Sequence, residues 1–177
     1  MYKYIKKYCP LLLLILLFTS CGSQKELLYN PKEVQQVSNK LGIKLNNRDK
    51  EDHKYMRLYA EASLWIGVPY RYGGLSRSGV DCSGFTYNIY QKVYRKKIPR
   101  STSDLEKKGI KKISKHQLQP GDLVFFATSN NKNKITHVGI YLKDNKFIHA
   151  SSSRGVVVND LDEKYYKQTW KKCGKVR

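Results

Sequence analysis

The tetrapeptide Asp81-Cys82-Ser83-Gly84 sets a thiol where a Gly-rich loop, residues 69–79, runs into an amphipathic stretch. Asp81 is a good N-cap, so Cys82 is expected at the first helical position. Unpaired backbone N–H groups and the helix dipole favour negative charge there, which predicts a lowered Cys82 pKa and a nucleophilic thiolate. Two histidines offer such a thiol its partners. His137 opens the run Thr136-His137-Val138-Gly139-Ile140-Tyr141, and His149 lies in Phe147-Ile148-His149-Ala150-Ser151. One imidazole can take the thiol proton while the other holds it in the required tautomer. A Cys behind an N-cap is by itself more often a buried structural residue. Its coincidence with two histidines on one face is what argues for chemistry.

The surrounding elements must bring these residues together. Met56, Tyr59, Ala60, Ser63, Leu64 and Trp65 recur at three- and four-residue steps and predict a helix from about residue 52 to Gly67. A second helix is expected from Cys82 to Tyr94, with Phe85, Ile89, Tyr90 and Val93 on one face. After Pro120-Gly121 the pattern turns strand-like, with runs Leu123–Ala127, Thr136–Leu142, Lys146–Ala150 and Gly155–Val158 between polar turns. Lys143-Asp144-Asn145 reads as a hairpin connection. Pairing centred on residue 143 would set His137 directly opposite His149, on the same face of the sheet. Helices followed by an antiparallel sheet give a single α+β domain, with N-terminal helices packed on a C-terminal sheet.

Five short segments then occur in order: Pro69-Tyr70-Arg71-Tyr72-Gly73-Gly74, Asp81-Cys82-Ser83-Gly84-Phe85, Pro120-Gly121-Asp122-Leu123-Val124-Phe125-Phe126, His137-Val138-Gly139-Ile140-Tyr141 and Ile148-His149-Ala150. Together they resemble the NlpC family of bacterial cell-wall cysteine peptidases, over residues 55 to 170. The resemblance implies a papain-like fold and hydrolysis of peptide bonds in peptidoglycan stems or cross-links, with no cofactor or metal. It implies Cys82 as nucleophile, His137 as general base and His149 as orienting residue. Tyr70 matches a family tyrosine at the active site and is expected to donate to the oxyanion beside the Cys82 N–H. Asp81 and Ser83 match positions near the stem peptide, although Asp81 also suffices as a plain N-cap.

The N-terminus has its own signature. Lys3, Lys6 and Lys7 precede an unbroken apolar run from Leu11 to Phe18, then Thr19, Ser20 and Cys21. That is the layout of a secretory signal, and the run is too short to span a bilayer as a helix. The Cys after two small residues resembles a bacterial lipoprotein signal. Residues 1–20 are therefore expected to be a signal, residues 21–51 a lipidated Cys21 and tether, and residues 52–177 the catalytic domain. In a Gram-negative cell the anchor would favour the outer membrane, facing the periplasm.

The 177 residues carry a formal charge of +20. Losing residues 1–20 removes three Lys and no acid, so the exported part keeps +17. Such charge suits nucleic acid, anionic lipid or acidic wall polymers. Export and the lack of an interleaved basic–aromatic motif argue against nucleic acid. Hydrophobic content of 40% and aromatic content of 12% exclude disorder, and four Cys with no Cys-x-x-Cys pair exclude a disulfide scaffold or zinc module. The expected protein is a monomeric wall peptidase. The competing readings are a non-catalytic wall-binding module on the same scaffold and an amidase or acyltransferase using the same Cys–His pair. His53 and His116 are expected at the surface, and Cys173 in a basic C-terminal tail.

Overall fold

A computed structural model describes residues 29–177; the expected signal, Cys21 and the first part of the expected tether lie outside the described residues. The first element is helix α1, Pro31–Leu41, capped by Asn30, which accepts from the Lys32 N–H at 2.9 Å, and closed by Gly42 at a φ of 62°. It buries Val34 and Leu41 in the main core. Residues from about 30 onwards therefore pack on the domain instead of serving as a spacer up to residue 51. The local sequence of this stretch carries no sign of the partner surface that it packs on.

Helix α2, Lys50–Ser63, buries Met56, Leu58, Tyr59, Ala62 and Ser63. It ends four residues before Gly67, and Leu64 beyond it is exposed rather than on the apolar face. Asp52, on its first turn, is buried and accepts from Lys143 Nζ at 2.5 Å and from the Asn46 N–H at 2.7 Å. That ion pair ties α2 to the hairpin that carries the histidines. The Gly-rich loop folds into a two-residue hairpin of β1, Leu75–Ser76, and β2, Gly79–Val80. Helix α3 then spans Cys82–Tyr94, as its cap and apolar spacing predict.

A single turn α4, Thr102–Asp104, and a wider turn, Leu105–Gly109, lead to strand β3, Ile110–Ile113. The remaining elements are β4, Leu123–Phe126; β5, His137–Tyr141; β6, Lys146–Ser151; β7, Gly155–Asp160; helix α5, Lys164–Thr169; and β8, Trp170–Val176. Six strands form one antiparallel sheet in the order β3-β8-β4-β5-β6-β7. The supposed basic tail is thus an interior strand, and Cys173 within it is buried. Neither β3 nor β8 has a run of apolar residues, because lysines interrupt both.

One sheet face packs under the helices. Phe85, Ile89, Leu123, Phe125, Val138, Ile140, Ile148 and Ala150 fill this main core. Val124, Phe126, Phe147, Leu161, Tyr166 and Cys173 form a smaller cluster on the other face. Burying a side chain such as Phe125 or Phe126 contributes about 2 to 3 kcal/mol, so both clusters hold the sheet that carries the histidines.

The hairpin register differs from the expectation. Ile140 pairs with Ile148 and Tyr141 with Phe147, which centres the pairing on residue 144. Asp144 and Asn145 both adopt positive φ, and the Lys146 N–H donates to the Lys143 carbonyl at 2.9 Å. This tight turn moves the centre by one residue and the opposing partner by two. His137 is therefore diagonal to His149, not opposite it. The shift is even, so both histidines keep a common face. In this register Gly139 stands across from His149, and a Cβ there would lie 2.7 Å from Phe147 Cδ2 and 3.2 Å from His149 Cβ.

Candidate active site

Asp81 organises the start of α3. Its Oδ1 accepts from the Gly84 N–H at 2.6 Å, and its Oδ2 accepts from the Gly73 N–H at 2.9 Å. Arg100 donates to both oxygens through Nη1 and Nη2, each at 2.9 Å, and also to Ser83 Oγ at 2.9 Å and the Gly74 carbonyl at 3.1 Å. Burial pushes the Asp81 carboxyl up. The Arg100 guanidinium and the Gly84 and Gly73 N–H groups outweigh that and hold it below the usual range. Asp81 is therefore a helix cap and half of a bidentate ion pair, which locks the loop before Cys82 to the segment after Pro99. Gly84 is required by this arrangement, since a Cβ would stand 2.3 Å from the Gly74 carbonyl oxygen.

Cys82 lies between two cavities. The larger, about 480 Å³, is lined by Tyr70, Tyr72, Asp81, Ser83, Arg100 and Thr102 among others. The smaller, about 140 Å³, is lined by Tyr70, Cys82, Thr136, His137, His149 and Tyr166 among others. Tyr70 and Cys82 border both. Tyr70 is held there by backbone pairing, the Val80 N–H donating to the Pro69 carbonyl at 3.0 Å and the Arg71 N–H to the Val80 carbonyl at 3.1 Å. The Cys82 sulfur lies 3.6 Å from Thr102 Oγ1.

The two imidazoles meet edge to face, His137 Nε2 lying 2.8 Å from His149 Nδ1. His137 therefore presents its other nitrogen, Nδ1, for a second partner. His149 is buried and stacks on Phe147, with ring centroids 4.9 Å apart. Its far nitrogen, Nε2, faces Asn159 Oδ1 at 3.0 Å and Tyr166 Oη at 3.1 Å.

Burial sets the protonation states. It lowers His137 to about 3, with His149 as the lesser cause. It lowers His149 to about 4, outweighing the opposing effect of Asn159. The expectation of a depressed Cys82 pKa fails: burial pushes the thiol up, and contacts from Thr102, Val138 and Ser83 offset this only in part. A helix terminus is worth about 1 kcal/mol, whereas burial shifts pKa values by as much as 3–5 units. The resting pair is a thiol and a neutral imidazole, an arrangement suited to general-base activation at the moment of attack.

The sequence profile of the NlpC/P60 family matches residues 67–175. The chain belongs to the NlpC/P60 family. It is similar to the probable endopeptidase NlpC of Escherichia coli K12, at 35% identity over 93% of this chain and 96% of that one. It is 30% identical to the murein DD-endopeptidase MepS/murein LD-carboxypeptidase of the same strain, over 98% of this chain and 94% of that one. The crystal structure of an NlpC/P60 family protein from Bacillus cereus superposes with a TM-score of 0.62 and 32% identity, covering 68% of this chain and 39% of that one.

The NlpC/P60 fold brings together all six candidates of the described residues: Tyr70, Asp81, Cys82, Ser83, His137 and His149 line the two cavities. Sequence reasoning missed Arg100, Thr102, Asn159 and Tyr166. Asn159 is the penultimate residue of a strand and Tyr166 sits in the short helix α5, so neither carries a periodic signal. His116 is exposed as expected; His53 is half-buried, its Nε2 2.6 Å from the Asn47 carbonyl. Cys173 hydrogen-bonds the Ile113 carbonyl, and burial raises its thiol to about 11.

Holding two histidines neutral makes the NlpC/P60 domain sensitive to acid. Below about pH 6.5 the unfolded chain binds protons that folded His137 and His149 refuse until about 3 and 4. Stability therefore falls with pH across that window, by up to about 1.4 kcal/mol per unit for each histidine. Urea unfolding at a series of pH values should show this loss, and His149→Gln should make the dependence shallower. A wild-type stability independent of pH between neutrality and about 4.5 would contradict it.

Proposed function

We propose that the chain is an exported peptidoglycan endopeptidase of the cysteine type. The observation that carries this reading is the His137–His149 contact in the wall of the cavity that Cys82 borders. Cys82 Sγ attacks the scissile carbonyl carbon as His137 Nδ1 takes its proton. The carbonyl oxygen becomes an oxyanion, received by the Cys82 N–H and the Tyr70 hydroxyl. Collapse breaks the C–N bond, and His137 returns the proton to the leaving amine. Water, activated by the same imidazole, then hydrolyses the thioester.

The larger cavity receives the stem peptide, with Ser83 on its floor and Tyr72 on its rim, 90% exposed. Among the described residues, its charged lining groups Asp81 and Arg100 pair with each other. Cleavage of the D-alanyl–diaminopimelate cross-link is preferred over the γ-D-glutamyl–diaminopimelate bond on the strength of the DD-endopeptidase activity named for one relative. Cys21 supplies a lipid anchor in the envelope, the outer membrane in a Gram-negative cell. The basic surface of the monomer draws it to the carboxylates of the wall. The mass of the mature N-terminal peptide reads the anchor directly.

Mass spectrometry of products from defined muropeptides tests the reaction. Conversion of cross-linked dimers to intact monomers is the expected result. Products cut within the stem would overturn the choice of bond. Binding to sacculi with no cleavage of any muropeptide would favour the non-catalytic wall-binding module.

A further inference from the structure

Beyond His149 lies a polar assembly that the reaction as described leaves unused. Asn159 is buried at the end of β7, its Oδ1 3.0 Å from His149 Nε2. Arg154 Nη2 donates to the same oxygen at 2.9 Å. The Asn159 Nδ2 donates to both carboxylate oxygens of Glu163, at 2.8 and 2.9 Å, and Glu163 Oε1 also accepts from the Asp160 N–H at 2.9 Å.

A guanidinium can only donate and a carboxylate can only accept. Asn159 therefore has one possible orientation, oxygen towards His149 and nitrogen towards Glu163. An amide oxygen accepts only, so His149 Nε2 must carry the proton. Neutral His149 then has a bare Nδ1, and His137 Nε2 must carry the proton that bridges them. That leaves His137 Nδ1 unprotonated, the state a base requires. With the polarity reversed, both rings would be protonated at Nδ1 and His137 would have no lone pair for the thiol. The Tyr166 hydroxyl is the group that would reverse it: Oη lies 3.1 Å from His149 Nε2, and 3.3 Å from Asn159 Oδ1, to which it donates.

We propose that Asn159, clamped between Arg154 and Glu163, is a positioning residue that sets the tautomers of His149 and His137. The inference rests on His137 as the general base, but its direct readout needs no substrate. Nitrogen-15 NMR of histidine-labelled protein at neutral pH should show both rings protonated at Nε2. Asn159→Leu removes the acceptor and lets Tyr166 donate, so both rings should move to the Nδ1-protonated form. Its kcat/KM should fall about 10²-fold or more, chiefly in kcat. Asn159→Asp keeps the oxygen, and paired with Glu163→Gln it restores a donor facing an acceptor; this double variant should keep the wild-type tautomers and most of the activity. Wild-type rings protonated at Nδ1, or Asn159→Leu rings still protonated at Nε2, would overturn the proposal. If the wild-type spectrum is as expected and the protein cleaves no muropeptide, the peptidase reading fails and the tautomer assignment stands.

Discussion

Cys82→Ala is expected to reduce muropeptide cleavage about 10³-fold or more while leaving the protein folded. Covalent catalysis has no substitute once the sulfur is gone, and losses from removing a nucleophile that acts as a unit with its base are of this order or larger. The fold should tolerate the change for local reasons. Ala is a strong helix former, and the hydrogen bonds that start α3 come from Asp81, Gly84 and Arg100. Only one sulfur atom leaves a site that already borders a cavity. Circular dichroism and the thermal midpoint should therefore match the wild type. Cleavage persisting at the wild-type rate in a folded Cys82→Ala protein would remove Cys82 as nucleophile. Cys173 offers no replacement, being hydrogen-bonded to Ile113 on the other sheet face.

The parts of this site that could be read from sequence are those with local causes. Helix α3 has an N-cap, an apolar face and a defined end within about fifteen residues, and it starts at Cys82 as expected. Strands β4 to β7 are apolar runs separated by turns, and they occur near their expected limits. The hairpin register was missed because it turns on backbone angles at Asp144 and Asn145, which the composition of the turn does not fix alone. Even so, period-two alternation preserved the shared face of the histidines. What failed were properties created by distant chain segments. Arg100 and Thr102 reach the site through pairings 19 and 20 residues long in sequence. Strand β8 is recognised as a strand only by its neighbours β3 and β4. The Cys82 pKa moved up because the folded chain buries the thiol, a fact of packing and not of helix position.

That raised thiol determines what His137→Ala should do. On the proposed mechanism the wild type needs no preformed thiolate, since the neutral imidazole would remove the proton during attack. Without the imidazole, the reaction depends on the small fraction of Cys82 already ionised, and burial makes that fraction smaller than for an ordinary thiol. A loss of about 10³-fold near neutral pH is therefore expected, within the range for general-base catalysis. The residual activity should then climb about tenfold per pH unit on the alkaline side, because thiolate concentration rises in that proportion below its pKa. His149→Ala should behave differently. His137 remains as a base but loses the ring that fixes its Nε2 proton, so the loss is expected to be smaller, about 10- to 10²-fold, without the steep alkaline rise. Rates for both variants from about pH 6 to 9 make the comparison. A His137→Ala protein as active as the wild type, or one whose residual activity is flat with pH, would show that this imidazole does not activate the thiol.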